Sequence, residues 1–165
     1  MKNIVLIGMP GCGKSTIGRL ISEETGLSFI DLDEYMVESN DMTIEEMFNH
    51  GEEFFRDRET KAVEEASQNS GIIISTGGGV IKRPENMHKL KSNGIILFID
   101  RSPEKIIETL DNSVRPLLKD GVKRIYDLYK ERYDLYIIYG DRIILNDGEI
   151  DKVVNEIKDI IGLIK

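Results

Sequence analysis

The sequence predicts a layered α/β fold in which helices cover a parallel β-sheet. Short apolar runs rich in Ile and Val, such as Asn3–Ile7 and Gly71–Ser75, alternate with longer segments of helical spacing. Continuous apolar runs are typical of strands buried on both faces, and their alternation with helices favours parallel pairing. Because ligands bind at the carboxyl ends of such strands, we expect functional residues directly after each strand.

Start and stop signals bound the predicted elements. Gly26 is a natural helix stop, Thr43 and Glu46 stand at capping-box spacing, and Pro84 suits a first helical turn. Apolar β-branched runs predict the strands, and 3.6-residue spacing predicts the helices. In chain order these are strand 3–7, helix 14–25, strand 28–32, helices 43–48 and 52–69, strand 71–75, helix 84–93, strand 94–99, helices 103–110 and 122–139, strand 142–145 and helix 149–164.

Composition narrows the class of protein. The 165 residues suit a single domain over 1–165, with 40% hydrophobic and 32% charged residues. No apolar run reaches the ~18 residues of a membrane span, and the start of the chain lacks a signal-peptide pattern, so we predict a cytoplasmic protein. The single cysteine agrees with this compartment. A net charge of −8 argues against a nucleic-acid partner. In so acidic a chain, any site for an anion must be built from a few Arg and Lys side chains placed around it.

The segment Gly8–Ser15 has the form G-x-x-x-x-G-K-S between a strand and a helix start, which predicts a phosphate loop for ATP. Glycines let backbone N–H groups turn toward phosphate oxygens, and the helix N-terminus adds its positive end. Lys14 is expected to reach the β- and γ-phosphates and Ser15 to ligate Mg²⁺. The alternative is a glycine-rich turn with an incidental lysine. The predicted ATP-binding residues of this segment are Gly11, Cys12, Gly13, Lys14, Ser15 and Thr16.

The acidic residues distinguish this chain from other phosphate-loop proteins. We find no base-reading motif of the GTPase kind, and the apolar strand that ends at Ile74 is not followed by an acidic residue. Carboxylates instead stand at Asp31 and Asp33, after the second strand. On an extended segment both would project the same way, so that one serves the metal and the other an acceptor hydroxyl. The alternative is a pair of solvated or helix-capping aspartates.

A small kinase must also shield its phosphates from water. The polar stretch 111–121 contains Arg115 followed by Pro-Leu-Leu-Lys, which predicts a lid whose arginine settles on the transferring phosphoryl group. The alternative is an ordinary surface loop.

Together these pieces resemble the shikimate kinases of the phosphate-loop type, within the nucleoside monophosphate kinase-like superfamily. The resemblance covers essentially the whole chain. It implies a three-layer α/β/α fold with a five-stranded parallel sheet of order 2-3-1-4-5. It also implies transfer of the ATP γ-phosphoryl group to the 3-hydroxyl of shikimate, a step of chorismate and aromatic amino acid biosynthesis. The matching segments are Gly8–Thr16, Asp31–Asp33, Gly51–Arg56 with Glu59, Thr76–Gly79, Arg115–Leu118, and Arg132 followed by Tyr136.

The resemblance also implies roles for individual residues. A shikimate-binding segment spans about 31–60, where Asp33 would hold the reacting hydroxyls and take the proton, and Asp31 would support Mg²⁺ through water. Arg56 and Arg132 match the carboxylate-binding arginines, and guanidinium groups suit a carboxylate chemically. Taken alone, the charge run around Arg56 would be a solvated helix face. The other implied residues are the catalytic Lys14 and Arg115, the substrate-contacting glycines Gly77, Gly78 and Gly79, and Phe48 and Phe55 as apolar walls. The resemblance and the lack of an obvious apolar interface stripe together predict a monomer.

One position departs from the family pattern. Many members carry an arginine seven residues before the lid arginine, where it stacks on adenine, and this chain has Glu108. The stretch Asn146–Gly148 and the aliphatic part of Arg115 are alternatives for the adenine contact. Alternative functions are a related small-metabolite kinase such as gluconate kinase, a catalytically silent nucleotide-binding module, and ATP hydrolysis without an acceptor.

Overall fold

A computed structural model of the chain describes residues 1–110 and 121–164. Its strands form a five-stranded sheet of order β2-β3-β1-β4-β5 in which every neighbouring pair is parallel, as predicted. The strands are β1 Asn3–Ile7, β2 Phe29–Asp31, β3 Ile73–Ser75, β4 Gly94–Asp100 and β5 Arg142–Leu145.

Helices cover both faces of the sheet, which gives the predicted three layers. The chain crosses from β1 to β2 in one direction and moves the other way in all later crossovers. Because crossovers are right-handed, the first helix lies on one face, where it packs against the last, and the others lie opposite. The helices are α1 Lys14–Thr25, α2 Leu32–Asn40, α3 Ile44–Asn49, α4 Glu52–Ser67, α5 Pro84–Ser92, α6 Pro103–Thr109, α7 Gly121–Tyr139 and α8 Ile150–Ile164, with a 3₁₀ turn at Val80–Lys82.

The second strand ends earlier than predicted, because a helix that the sequence analysis missed begins there. Asp31 is the N-cap of α2, and its Oδ1 accepts hydrogen bonds from the backbone N–H groups of Asp33 (3.0 Å) and Glu34 (3.2 Å). Asp33 therefore stands in a first helical turn, and the prediction of an extended Asp31–Asp33 segment is wrong. A capping aspartate followed by acidic residues is a recognisable helix start, so the signal was available.

The central strand β1 brings the ends of its neighbours to the phosphate loop. It lies between β3 and β4, and Ile4, Val5, Leu6 and Ile7 are fully buried. Beyond its end, Thr76 donates from both its backbone N–H (3.1 Å) and its hydroxyl (2.8 Å) to the carbonyl of Leu6. The segment after β3 is thereby fixed beside the loop that follows β1.

The start of α3 agrees with the sequence prediction, because Thr43 forms the capping box with Glu46. The predicted lid segment and its Arg115 fall outside the described residues, apart from Gly121, the first residue of α7. Within residues 1–110 and 121–164, no helix has the length and apolar character needed to cross a membrane.

Candidate active site

The phosphate loop has the backbone that its glycines permit. Gly13, with φ of +102°, is the N-cap of α1, and a Cβ there would also lie 2.9 Å from the side-chain nitrogen of Asn146. Gly8 has φ of +148°, and a Cβ there would lie 2.5 Å from the carbonyl oxygen of Ile99. Both positions therefore require glycine for conformation and for space. The loop ends where the α1 N–H groups begin, the arrangement that suits a bound phosphate.

Lys14 is held inside this loop. Its side chain is 6% exposed, and Nζ donates to the carbonyls of Gly8 (2.8 Å) and Met9 (2.9 Å). A buried ammonium with two carbonyl acceptors is preorganised as a point charge for anionic oxygens. Cys12 is fully buried, with its sulfur 3.6 Å from the same Nζ, so the thiol lines the loop from within.

Three oxygen-bearing side chains meet next to the loop, at the ends of β2 and β3. The hydroxyl of Ser15 donates to Oδ2 of Asp31 and lies 3.3 Å from the hydroxyl of Ser75. Asp31 thus has one oxygen on the α2 backbone and the other on Ser15. Hydroxyl and carboxylate oxygens are the ligands that Mg²⁺ prefers, and the ion keeps several of its waters in proteins. The oxygens that meet here therefore fit Mg²⁺ as a ligand set.

A second group of charged side chains lies around Gly77 and includes Asp33 and Glu59. A Cβ on Gly77 would stand 3.2 Å from Oδ1 of Asp33 and 3.1 Å from Oε2 of Glu59, so both carboxyl groups border this glycine. Burial raises the pKa of Asp33, and the negative charge of Asp31 adds to the effect, whereas Lys14 opposes it. Asp33 is therefore a better proton acceptor than an exposed aspartate.

Arg56 is buried and points into the same space. Its Nη1 donates to Oε1 of Glu59 at 2.8 Å, and its guanidinium lies 5.0 Å from the ring centroid of Phe55, which stacks on Phe48 at 4.1 Å. Arg58 lies instead over the ring of Phe54, 3.4 Å from its centroid. The two arginines of the charge run are thus separated. Arg56 is buried beside the aromatic pair and next to Gly79, whereas Arg58 packs on Phe54.

Arg132 and Tyr136 enter the site from α7. Arg132 is buried, and among the described residues its Nε has no hydrogen-bond partner. Burial raises the pKa of Glu59, and the positive charge of Arg132 opposes part of this increase. Tyr136 is fully buried, and its hydroxyl donates to the carbonyl of Gly78 at 2.6 Å. Burial raises the pKa of Tyr136, so the phenol stays protonated and remains a donor at neutral pH.

The glycine segment after β3 connects the two halves of the site. A Cβ on Gly78 would lie 2.6 Å from Cδ of Pro10 in the phosphate loop, and one on Gly79 would collide with the guanidinium of Arg56. Gly77 faces the carboxyl groups of Asp33 and Glu59. Side chains at Gly78 and Gly79 would collide with Pro10 and Arg56, so these two glycines allow the halves of the site to approach each other.

Most of the predicted site residues that the structure describes come together at one edge of the sheet. They are the loop residues, Asp31, Asp33, Arg56, Gly77–Gly79 and Arg132. Thr16 follows Ser15 in the first turn of α1, where its side chain is exposed. Glu108 is also exposed, with Lys105 Nζ 3.3 Å from its Oε2. The family pattern includes Glu59 and Tyr136, but it does not predict the hydrogen bonds that join them to Arg56 and to Gly78. Ser75 was not among the predicted site residues, because it carries no local signal.

The comparisons with known proteins decide the family. A family model described as shikimate kinase matches residues 10–162, nearly the whole chain. The chain belongs to the shikimate kinase family. A shikimate kinase of Clostridium botulinum (strain Alaska E43 / Type E3) is 55% identical over 162 residues, which cover 98% of both chains. One of Clostridium beijerinckii is 54% identical, covering 98% of this chain and 96% of the relative.

A solved shikimate kinase agrees in structure. The enzyme of Acinetobacter baumannii, in complex with shikimate, has a TM-score of 0.90 and 32% identity, and the match covers 100% of this chain and 95% of that one. The predicted fold class and family are therefore confirmed. As a shikimate kinase family member the chain is an ATP-using phosphotransferase, so a nucleotide is its co-substrate.

Proposed function

We propose that this chain is a cytoplasmic, monomeric enzyme that transfers the γ-phosphoryl group of ATP to the 3-hydroxyl of shikimate, giving shikimate 3-phosphate for chorismate and aromatic amino acid synthesis. The observation that carries the proposal is the position of Asp33. This partly buried carboxyl group is close enough to Lys14 of the phosphate loop and to Arg56 that both cations oppose the rise in its pKa that burial causes. An acceptor that spans these groups needs a hydroxyl next to the loop and an anionic group at the arginine.

The arginines supply the recognition of that anionic group. Arg56 and Arg132 are buried cations in a chain of net charge −8, and a buried charge is costly unless it has a partner. Arg56 has Glu59, whereas among the described residues Nε of Arg132 has none. The carboxylate of shikimate would supply acceptors for both guanidinium groups. The backbone of Gly77–Gly79 would contact the ring, as the family pattern implies.

The proposed reaction is a direct in-line transfer without a phosphoenzyme. The 3-hydroxyl oxygen of shikimate forms a bond to the γ-phosphorus while the bond from that phosphorus to the β–γ bridging oxygen breaks, leaving ADP. The hydroxyl proton passes to Asp33. Lys14 stabilises the charge on the transferring phosphoryl oxygens, and Arg115, outside the described residues, would add a second cation.

Mg²⁺ is the metal that we propose for this site. Ser15 and Asp31 would hold it, Asp31 through water, because their oxygens meet and Oδ2 of Asp31 is engaged only by the Ser15 hydroxyl among the described residues. When bound, the ion would neutralise charge on the β- and γ-phosphate oxygens. The carboxylate of Asp31 also orients the Ser15 hydroxyl without the metal, since the two are hydrogen-bonded.

A coupled assay tests the proposal. Release of ADP from Mg·ATP is measured with shikimate, with gluconate and with no acceptor, and the product is identified by its phosphorus NMR coupling. We expect rapid release only with shikimate and a phosphorus attached at the 3-oxygen. Equal rates without an acceptor would show an ATPase, and a preference for gluconate would assign the related sugar-acid kinase activity. No release with any acceptor would favour a silent binding module.

Arg56→Lys is expected to raise the KM for shikimate about 10–100-fold with a smaller effect on kcat. Lysine keeps the charge beside Glu59 but loses the planar pair of donors that a carboxylate accepts, and such charged hydrogen bonds contribute about 1.5–3 kcal/mol. Steady-state kinetics with varied shikimate measure the effect. Arg58→Lys is the matched control, because Arg58 lies on Phe54. An unchanged KM with a reduced kcat would contradict the assignment to the carboxylate.

Tyr136→Phe is expected to raise the KM for shikimate about fivefold, with little change in the KM for ATP. The lost hydrogen bond to the Gly78 carbonyl stabilises by about 1 kcal/mol and fixes the peptide whose N–H belongs to Gly79. Tyr133→Phe on the same helix is the control, since its ring packs on Phe98 without such a bond among the described residues. Equal effects of the two substitutions on KM would exclude a role for the Tyr136 hydroxyl.

A further inference from the structure

Asn146 links the turn after β5 to the phosphate loop. It follows β5 directly and is only 5% exposed. Its side-chain nitrogen donates to the carbonyl of Cys12 at 2.8 Å, inside the loop. Its own backbone is fixed as well, because its N–H donates to the carbonyl of Asp100 at 2.8 Å and its carbonyl accepts from Nη1 of Arg101 at 2.6 Å. The amide is thus presented to the loop from a rigid support.

The hydrogen bond acts on a particular peptide group. The carbonyl of Cys12 and the N–H of Gly13 belong to one planar trans peptide, in which they point in opposite directions. Since Asn146 holds the carbonyl of Cys12, the N–H of Gly13 is directed away from Asn146. Backbone N–H groups of phosphate loops bind phosphate oxygens when they turn toward the inside of the loop.

Gly13 and Asn146 are also fitted to each other in space. The φ of Gly13 is +102°, and a Cβ at this position would come within 2.9 Å of the Asn146 side-chain nitrogen. The close approach that brings the amide to the Cys12 carbonyl is thus possible only beside a glycine. The loop could adopt other peptide orientations at so permissive a residue, and the Asn146 hydrogen bond selects one of them.

We propose that Asn146 is a positioning residue of the phosphate loop, which orients the Cys12–Gly13 peptide so that the Gly13 N–H binds the phosphates of the nucleotide. The inference rests on the proposed function in that ATP is the phosphoryl donor. Asn146 acts through the loop backbone and does not need to contact the adenine base. An experiment must therefore separate an effect on phosphate binding from an effect on adenine binding, because the turn 146–148 is also an alternative site for the base.

The test uses a phosphate chain that carries no base. Dissociation constants of Mg·ATP and of Mg·tripolyphosphate are measured calorimetrically for the intact chain and for Asn146→Leu, which keeps the branched shape of the side chain and removes the donor. Losing one hydrogen bond that preorganises the loop is expected to weaken both ligands about tenfold, to the same extent. The dissociation constant of shikimate is expected to stay unchanged. Asn146→Ala serves as a second variant if leucine prevents folding, as judged by thermal unfolding.

Asn3→Leu is the matched control. Asn3 is 1% exposed, and its amide donates to the carbonyl of Asn69 at 2.8 Å at the opposite end of the sheet. The Asn3→Leu substitution should lower Tm without changing either dissociation constant. If Asn146→Leu weakened the binding of ATP but not of tripolyphosphate, the proposal would be overturned and Asn146 assigned to the base. No change in the binding of either ligand would also overturn the proposal. These binding measurements need no turnover, so failure of the wild-type chain to phosphorylate shikimate would count against the proposed function alone.

Discussion

Asp33→Asn is expected to lower kcat about 10³-fold while raising the thermal stability of the protein. The value of kcat falls because Asp33 is the proton acceptor, and general bases typically contribute 10²–10⁴-fold in rate. Thermal stability rises because burial and the neighbouring charge of Asp31 raise the pKa of Asp33, which disfavours its ionised form in the folded state. We expect Tm to rise by about 2–4 °C near pH 8, corresponding to about 1 kcal/mol.

The sign of the pH dependence follows from the raised pKa. Below the unfolded-state pKa, Asp33 is protonated in both states and contributes nothing to the pH dependence of stability. Above the folded-state pKa, the full cost of holding the ionised group is present, and this cost is lost as the pH falls through that value. The stabilisation by Asn should therefore shrink as the pH is lowered. The acid limb of kcat/KM for shikimate in the wild-type enzyme should lie above the ordinary aspartate range.

Thermal unfolding and kinetics across pH measure both effects on the same samples. Asp57→Asn is the control, because Asp57 is an exposed carboxylate that pairs with Arg83 and is not among the charges that shift the pKa of Asp33. It should leave kcat unchanged and should not raise Tm. If Asp33→Asn kept most of the wild-type kcat, another group would have to take the proton. If Asp33→Asn lowered Tm at every pH, the Asp33 carboxylate would stabilise the folded protein.

Lys14→Met is expected to reduce kcat/KM for ATP about 10³-fold and to leave shikimate binding intact. Methionine has a similar length and cannot place a charge among the phosphate oxygens, and removing one such preorganised group typically costs 10²–10³-fold in rate. The carbonyls of Gly8 and Met9 also lose a donor, so a modest fall in Tm should accompany the loss. Calorimetry with shikimate alone measures the part of the site that should be unaffected.

Lys61→Met provides the comparison for removal of a positive charge. The Lys61 side chain is 75% exposed on α4, where it faces Glu65 at 4.0 Å. Kinetic constants for both substrates should match the wild type, because exposed charges at a distance are screened. An ATP-dependent rate for Lys14→Met within tenfold of this control would mean that the phosphate loop does not use Lys14 in the transition state.

Strong local patterns predicted most of the fold and half of the site. The buried strands, the phosphate loop and the capping box at Thr43 are local, since each depends on residues a few positions apart. The alternation of strands and helices then limited the topology, because parallel crossovers are right-handed. The error at Asp31 had a local cause too: the D-x-D pattern was interpreted as strand, although the same aspartate also signals a helix start.

By itself, the sequence determined that this protein has a parallel α/β sheet with a phosphate loop after its first strand, because periodicity and glycine spacing act over a few residues. Tertiary structure alone decided which polar groups meet. Arg56 rather than Arg58 is buried next to Gly79. Tyr136 donates to Gly78, which is 58 residues away in the chain, and Asn146 donates to Cys12, which is 134 residues away. Hydrogen bonds between such distant residues leave no trace in local spacing, and they form only once the sheet has brought its strand ends together.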